Sequence, residues 1–316
     1  MTVAGRRAAR VAVSAGLLAA VALVLDPRTI LGRLGALDPR WVAAALALSV
    51  VQVTASAWRW RYTARRVGVD LRLSRAVAEY YLAGFVNQLL PGGVAGDVSR
   101  AWRHARAQAD DGAPEGRGRV VNVVILERAS GQVAMTAVAL ASVAVLLWGA
   151  VPWWGALAGA AACVPAAWVA TRLWLRLRRV PVLAAFARDA RAAFLGPGAL
   201  PVQLGVSLGI VATYLAMYLA GAAALGVEAP LGELAPLVAP VLVTMLLPVS
   251  VAGWGVREAA AAALWSAVGL APADGVAISV AYGLLVLVST LPGAVVLALT
   301  SRGRKGPRRR AGPHPA

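Results

Sequence analysis

The sequence predicts an all-α polytopic membrane protein built from six transmembrane helices plus two inverted re-entrant helical hairpins. Three observations carry the prediction. Of 316 residues 60% are hydrophobic and 14% charged, with mean hydropathy +0.71, so long apolar runs must be tested as membrane spans before any soluble core is considered. Six runs are long enough to cross, while two further apolar segments are short and broken by Pro and Gly. The two broken segments also resemble each other.

The six runs are residues 8–25, 41–58, 120–148, 153–175, 201–225 and 275–300. At about 1.5 Å rise per residue each is long enough for a hydrocarbon core of about 30 Å. The first follows "GRRAAR" as a signal peptide would, but no small-residue cleavage site follows its apolar region and "VLDPR" ends it; it reads as a retained anchor helix. Trp41, Trp153 and Trp154 sit where interfacial anchors are expected. Gly155 and Gly159 form a GxxxG spacing that fits packing within the chain. The single Cys163 lies in an Ala-rich apolar run, which excludes an internal disulfide and fits a small packing residue.

The short segments come as pairs. Residues 76–90, "AVAEYYLAGFVNQLL", would extend only about 22 Å as a helix. The arm that follows, Asp97 to Arg106, is shorter still and basic. Residues 234–247 and 254–268 repeat the arrangement around "LLPVSVAGWG". Breaks at membrane depth survive only inside protein or beside water, so both pairs read as hairpins that return to the face they entered from.

Aligned without gaps at an offset of 157, "LLPGGVAGDVSRA" (89–101) and "LLPVSVAGWGVRE" (246–258) share seven of thirteen residues. LLP, a spaced VAG and an Arg together point to an internal repeat. Charge then sets the orientation: with the N-terminus inside, cytoplasmic segments hold 26 of the 31 Lys and Arg, as the positive-inside rule requires. Both termini are expected in the cytoplasm. Three spans separate the hairpins, so they enter from opposite faces and the repeats, around 41–148 and 201–300, are inverted. A single transmembrane domain is expected over 1–300, with a basic cytoplasmic tail over 301–316. Residues 107–119 and 301–307 read as linkers rich in Gly, Pro and charge, and 180–196 reads as an amphipathic helix on the inner leaflet.

Inverted repeats with broken helices suit a transporter, because half-helix N-termini near the midplane present unpaired N–H groups and positive potential to one shared site. Gly253 and Gly255 would let a ligand approach the backbone, and Arg257 adds a full charge one turn later. Gly96 precedes Arg100 in the same way. Glu127, Arg128, Arg257 and Glu258 are expected inside the membrane, where charges need partners or a purpose. One reading pairs Glu127 with Arg257 and Arg128 with Glu258 to hold hairpin to helix; the other gives them a substrate or gating role. Asp97 fits a helix N-cap or a part in head-group or proton coupling. Asn87 and Gln88 fit as partners for backbone freed at the Pro91 break. His104, among cytoplasmic Arg residues, fits a surface or lipid-phosphate contact.

The segments "NQLLPGGVAGDVSRAW", "ERASG" and "LLPVSVAGWGVREAA", in this order, resemble the membrane domain of lysylphosphatidylglycerol synthases and its stand-alone flippase-like relatives. The resemblance covers residues 10 to 300. It implies lipid translocation, with matching positions at Asn87, Pro91, Gly96, Asp97, Arg100, Glu127, Arg128, Pro248, Gly253, Gly255, Arg257 and Glu258. The aminoacyl-transferase domain of the full synthases has no counterpart in this sequence, so their synthase activity is not implied. The sequence also departs from the family after the Glu-Arg pair of "ERASG", where an acidic residue is expected and ion coupling would depend on it.

Three functions follow as expectations. The lead is a flippase or transporter for an anionic lipid, phospholipid or polyprenyl-phosphate-linked. The others are a non-transporting scaffold for envelope glycosyltransferases and a membrane-embedded lipid-modifying enzyme using Glu127 as acid or base. No enzyme activity is expected in the lead reading. No cofactor or metal is expected, since no phosphate-binding loop, Cys/His metal spacing or nucleophile elbow occurs. The basic balance implies no nucleic acid partner, because no basic-aromatic soluble module carries it.

Overall fold

The computed structural model describes residues 34–90, 95–110, 117–147, 180–246 and 250–303, with isolated positions between 12 and 32. Among these residues the chain is helical and contains no strand. Four helices are long and apolar enough to cross a membrane: Pro39–Arg66, Gly118–Leu146, Ala199–Ala224 and Pro272–Thr300. They answer to four of the six expected spans. The other two, 8–25 and 153–175, lie outside the described residues but for isolated positions in the first, as do Trp153, Trp154, Gly155, Gly159 and Cys163.

Ten helices matter below. α1 (Pro39–Arg66) begins at Asp38, whose carboxylate accepts from the Arg40 N–H at 2.8 Å, with Pro39 at the first helical position. Then come α2 (Leu73–Leu89), α3 (Ala95–Asp110) and α4 (Arg117–Leu146). The amphipathic α5 (Pro181–Ala190) runs into a π turn at Arg191–Leu195. The second half holds α6 (Ala199–Ala224), α7 (Leu231–Val243), α8 (Val256–Ala267), α9 (Pro272–Ser289) and α10 (Pro292–Gly303). α3 and α4 claim most of the expected 107–119 linker, leaving 111–116 between them.

The two halves pack reciprocally. α1 lies along α6, the most extensive helix pair among the described residues. The first hairpin's α2 packs on α10 of the second half, and the second hairpin's α7 packs on α4 of the first. α4 touches α6, and α9 touches α1. Exchanging α1 with α6, α2 with α7, α3 with α8, and α4 with α9 and α10 leaves this pattern of neighbours unchanged.

Glycine makes the closest approaches possible. A Cβ on Gly96 of α3 would be driven into the backbone carbonyl of Ala83, and one on Gly293 of α10 into that of Tyr81. α2 is therefore gripped on both sides at backbone distance. In the second hairpin Gly253 has φ +82°, and a Cβ there would come 2.7 Å from Met245 Cγ, so conformation and space both demand glycine. Its neighbour Ala252 holds φ +49°, a left-handed conformation unusual for a residue with a side chain.

Two apolar clusters flank the middle. One gathers Trp60, Val120, Val123 and Leu126 with the turn residues Val67, Val69 and Leu71. The other gathers Tyr218, Leu237, Trp265, Ile278 and Tyr282.

Candidate functional site

Polar residues on α1 fall at 49, 52, 56, 59 and 63, spacings of three and four that place Ser49, Gln52, Ser56, Arg59 and Thr63 on one face. On α6, Gln203, Ser207 and Tyr214 share a face in the same way. The two stripes meet where the helices cross. Gln203 Nε2 donates to Thr63 Oγ1 at 2.9 Å, and Arg59 Nη1 donates to Ser207 Oγ at 2.9 Å.

Arg59 then reaches α4. Its Nη2 lies 2.7 Å from Glu127 Oε1, and Arg100 Nη2 from α3 lies 3.0 Å from Glu127 Oε2. The Tyr80 hydroxyl of α2 donates to the same carboxylate. Glu127 thus ties four helices together while 1% exposed. Arg100 is fully buried, its guanidinium 4.4 Å from the Trp60 ring centroid and 4.3 Å from that of Tyr80. Such stacking offsets part of the cost of burying a cation.

Asp97 is the second carboxylate. It pairs with Arg100 at 3.1 Å and with Arg128, and accepts from Asn87 Nδ2 at 3.2 Å. Asn87 Oδ1 accepts the Gly96 N–H at 2.7 Å, satisfying backbone at the start of the hairpin's second arm. Asp97 is inside the first turn of α3 and its carboxylate is taken by cations, so the N-cap reading gives way to an ion-pair role.

These groups border a cavity of about 350 Å³ between the two halves. Its polar lining includes Arg59, Tyr80, Asn87, Asp97, Glu127 and Arg128, and its apolar lining Met217, Leu242, Met245 and Val286. Gln52, Ser207, Tyr214, Ala252 and Tyr282 line it as well. Among the described residues Arg59 Nε finds no hydrogen-bond partner, although the residue is 5% exposed.

Arg257 and Glu258 form a separate, closed cluster. Arg257 Nη2 lies 2.6 Å from Glu258 Oε1, and its Nε donates to Ser279 Oγ at 2.8 Å. Glu258 Oε2 accepts the Gly255 N–H at 2.6 Å and so caps α8. Trp254 and Tyr282 rings lie 5.1 and 5.3 Å from the guanidinium. The expected pairs of Glu127 with Arg257 and Arg128 with Glu258 do not form: each hairpin satisfies its own charges within its half. Arg257 does not line the cavity, and neither Gly253 nor Gly255 does; the cavity touches this hairpin at Leu242, Met245, Leu246 and Ala252. Gly96 serves the approach to α2 described above.

Two participants were not singled out in the sequence. Arg59 fell just past the assigned end of the first-half span and was counted among cytoplasmic cations, as was Arg100. The polar stripe on α1 is the signal that reveals Arg59. Tyr80 carries no such mark. His104 is also misplaced by the sequence: it is 3% exposed, its ring 5.5 Å from that of Trp60 and edge-on to it.

The family model described as the lysylphosphatidylglycerol synthase TM region matches residues 7–293. The chain belongs to this family. Comparison with curated proteins and with solved structures returned no match. Family membership and four apolar helices long enough to span make the chain a multi-pass membrane protein of lipid metabolism or transport. Among the described residues no cluster of His, Cys, Asp and Glu suits a metal ion.

Proposed function

We propose that this lysylphosphatidylglycerol-synthase-type membrane domain is a lipid transporter that carries an anionic lipid across the cytoplasmic membrane. The observation that carries the reading is the cavity between the halves, whose lining joins the guanidinium groups of Arg59 and Arg128 to apolar residues such as Met217, Leu242 and Val286. A phosphate there would meet Arg59 and Arg128, in surroundings where low dielectric strengthens each interaction. Lipid chains would lie against the apolar lining and the bilayer.

Two features support transport over static binding. The repeat at offset 157 and the reciprocal packing of hairpins on opposite halves fit two inverted units that rock about a central site. The strained Ala252 at the cavity wall sits in the turn of the second hairpin, where such motion would need to be absorbed. In this arrangement both termini face the cytoplasm.

The test is reconstitution in vesicles with a fluorescent phosphatidylglycerol, following its loss from one leaflet by quenching. Wild type is expected to accelerate exchange, and Arg59→Gln and Arg128→Gln to slow it about tenfold or more. Exchange at the protein-free rate, with copurifying glycosyltransferases and no bound lipid, would replace this reading with the scaffold.

A further inference from the structure

The second hairpin holds a charged donor that its own half barely satisfies. Arg257 is 1% exposed, and its Nε and Nη2 donate to Glu258 and Ser279. Among the described residues the acceptor for Nη1 is the Met245 thioether, with the sulfur 3.8 Å away. The two N–H groups of that nitrogen thus share one of the weakest acceptors a protein offers. In the turn that leads to α8, Ser250 Oγ is buried and finds no partner among the described residues. Buried polar groups left short in this way call for water, a ligand or a second arrangement of the chain.

Met245 also stands between Arg257 and the cavity. Its side chain lines the cavity while its sulfur meets the guanidinium, and Arg257 itself does not reach the lining. Tyr282 touches both as well, but its ring is packed against that of Tyr218, centroids 5.4 Å apart. Met245 is freer. It sits on a single 3-10 turn, Thr244–Leu246, at the end of α7, and rests on the bare backbone of Gly253. An unbranched thioether with three rotatable bonds can leave such a seat without moving the backbone.

We infer that Met245 is a lid over a second ligand position, in which Arg257 Nη1 takes an anionic oxygen of a molecule already in the cavity. This rests on the reading of the cavity as a transport site and adds a position on its other side. With the lid in place, the described cations that line the cavity, Arg59 and Arg128, both come from the first half. With it swung aside, Arg257 joins them from the second. A phosphate or carboxylate oxygen then gives Nη1 the charge-assisted bond that a thioether cannot. The ligand gains a partner in each of the two units that move against one another.

The experiment maps arginine modification by a small dicarbonyl reagent, butanedione, read by peptide mass spectrometry on the full chain in phosphatidylcholine nanodiscs. Arg128, partly exposed at the cavity, is expected to react in every variant, and Arg100, sealed between aromatic rings, in none. Arg257 is expected to react slowly in wild type and about tenfold faster in Met245→Ala. Phosphatidylglycerol in the nanodisc and inorganic phosphate in the buffer are then added separately, which distinguishes a lipid head group from free phosphate as the source of the oxygen. The effective one is expected to slow modification of Arg257 in Met245→Ala about tenfold.

An Arg257 as inert as Arg100 in Met245→Ala overturns the lid. Should that variant fail to fold, Met245→Leu, which is shorter and lacks the sulfur, is expected to raise Arg257 modification above wild type, and no rise overturns the lid equally. Protection of Arg128 without protection of Arg257 overturns the second position and leaves the reading of the cavity standing. Protection of neither by either addition overturns that reading itself.

Discussion

Arg100 and Arg257 occupy equivalent positions of the 157-residue repeat, and each guanidinium lies against two aromatic rings while bound to a carboxylate. For Arg100 the rings are Trp60 and Tyr80 and the carboxylates Glu127 and Asp97; for Arg257 they are Trp254 and Tyr282 with Glu258. A flat cation with several donors serves both needs, and an ammonium does not. Arg100→Lys and Arg257→Lys are therefore each expected to destabilise the protein by about 1–3 kcal/mol despite conserving charge. Thermal unfolding in detergent checks this, with Arg106→Lys at an exposed position of α3 as the comparison.

Glu127 holds Arg59 and Arg100 at once. Glu127→Gln leaves the buried Arg59 without a carboxylate and Arg100 with Asp97 alone, a loss expected to cost about 3–5 kcal/mol. Glu79→Gln breaks the partly exposed pair with Arg103 and is expected to cost under about 1 kcal/mol. Denaturation midpoints of the two variants should rank in that order. Equal midpoints would mean water reaches the Glu127 cluster freely.

The grip on α2 predicts that single methyl groups matter. Gly96→Ala and Gly293→Ala each push a Cβ into a backbone carbonyl of α2 that has no rotamer to escape by, and both should lower yield and thermal stability of folded protein. Gly205→Ala and Gly209→Ala on α6 meet no atom within 4 Å and should be neutral or stabilising by about 0.5–1 kcal/mol. Size-exclusion profiles after heating separate the two groups.

Hairpin topology is open to cysteine labelling. If both hairpins return to their face of entry, Cys at Ser74 and Arg106 should react from the cytoplasmic side. Cys at Glu228 and Val268 should react from the opposite side. Reaction of either pair from opposite faces would make the hairpins full spans and remove the inverted arrangement.

Much of this was legible in the sequence. Helix positions followed from apolar length and from Pro and Gly breaks, since backbone in lipid must satisfy itself. The hairpin charges Asp97, Arg100, Glu127 and Arg128 were found because isolated charge in apolar text is conspicuous. Their partners were not. The choice of Glu127 between Arg257 and Arg59 depends on which helices cross, and sequence depth alone does not distinguish two cations on different helices. Arg59 was hidden because the apolar run of α1 ends in a mixed Trp, Arg and Tyr stretch that reads as an interface, while the helix continues to Arg66. Gly96 and Gly253 were read as room for ligand, and the structure fills that room with Ala83 and Met245.

The exchange of hairpins between halves bears on biogenesis. The surface of α2 that α10 covers is synthesised about 200 residues before its cover, a delay of roughly 10–40 s at ordinary translation rates. During that interval α2 must wait in the membrane with one side against lipid or a chaperoning factor. α7 finds α4 already in place. Insertion of the first hairpin is thus the exposed step of assembly, and α10 acts as the latch that closes over it.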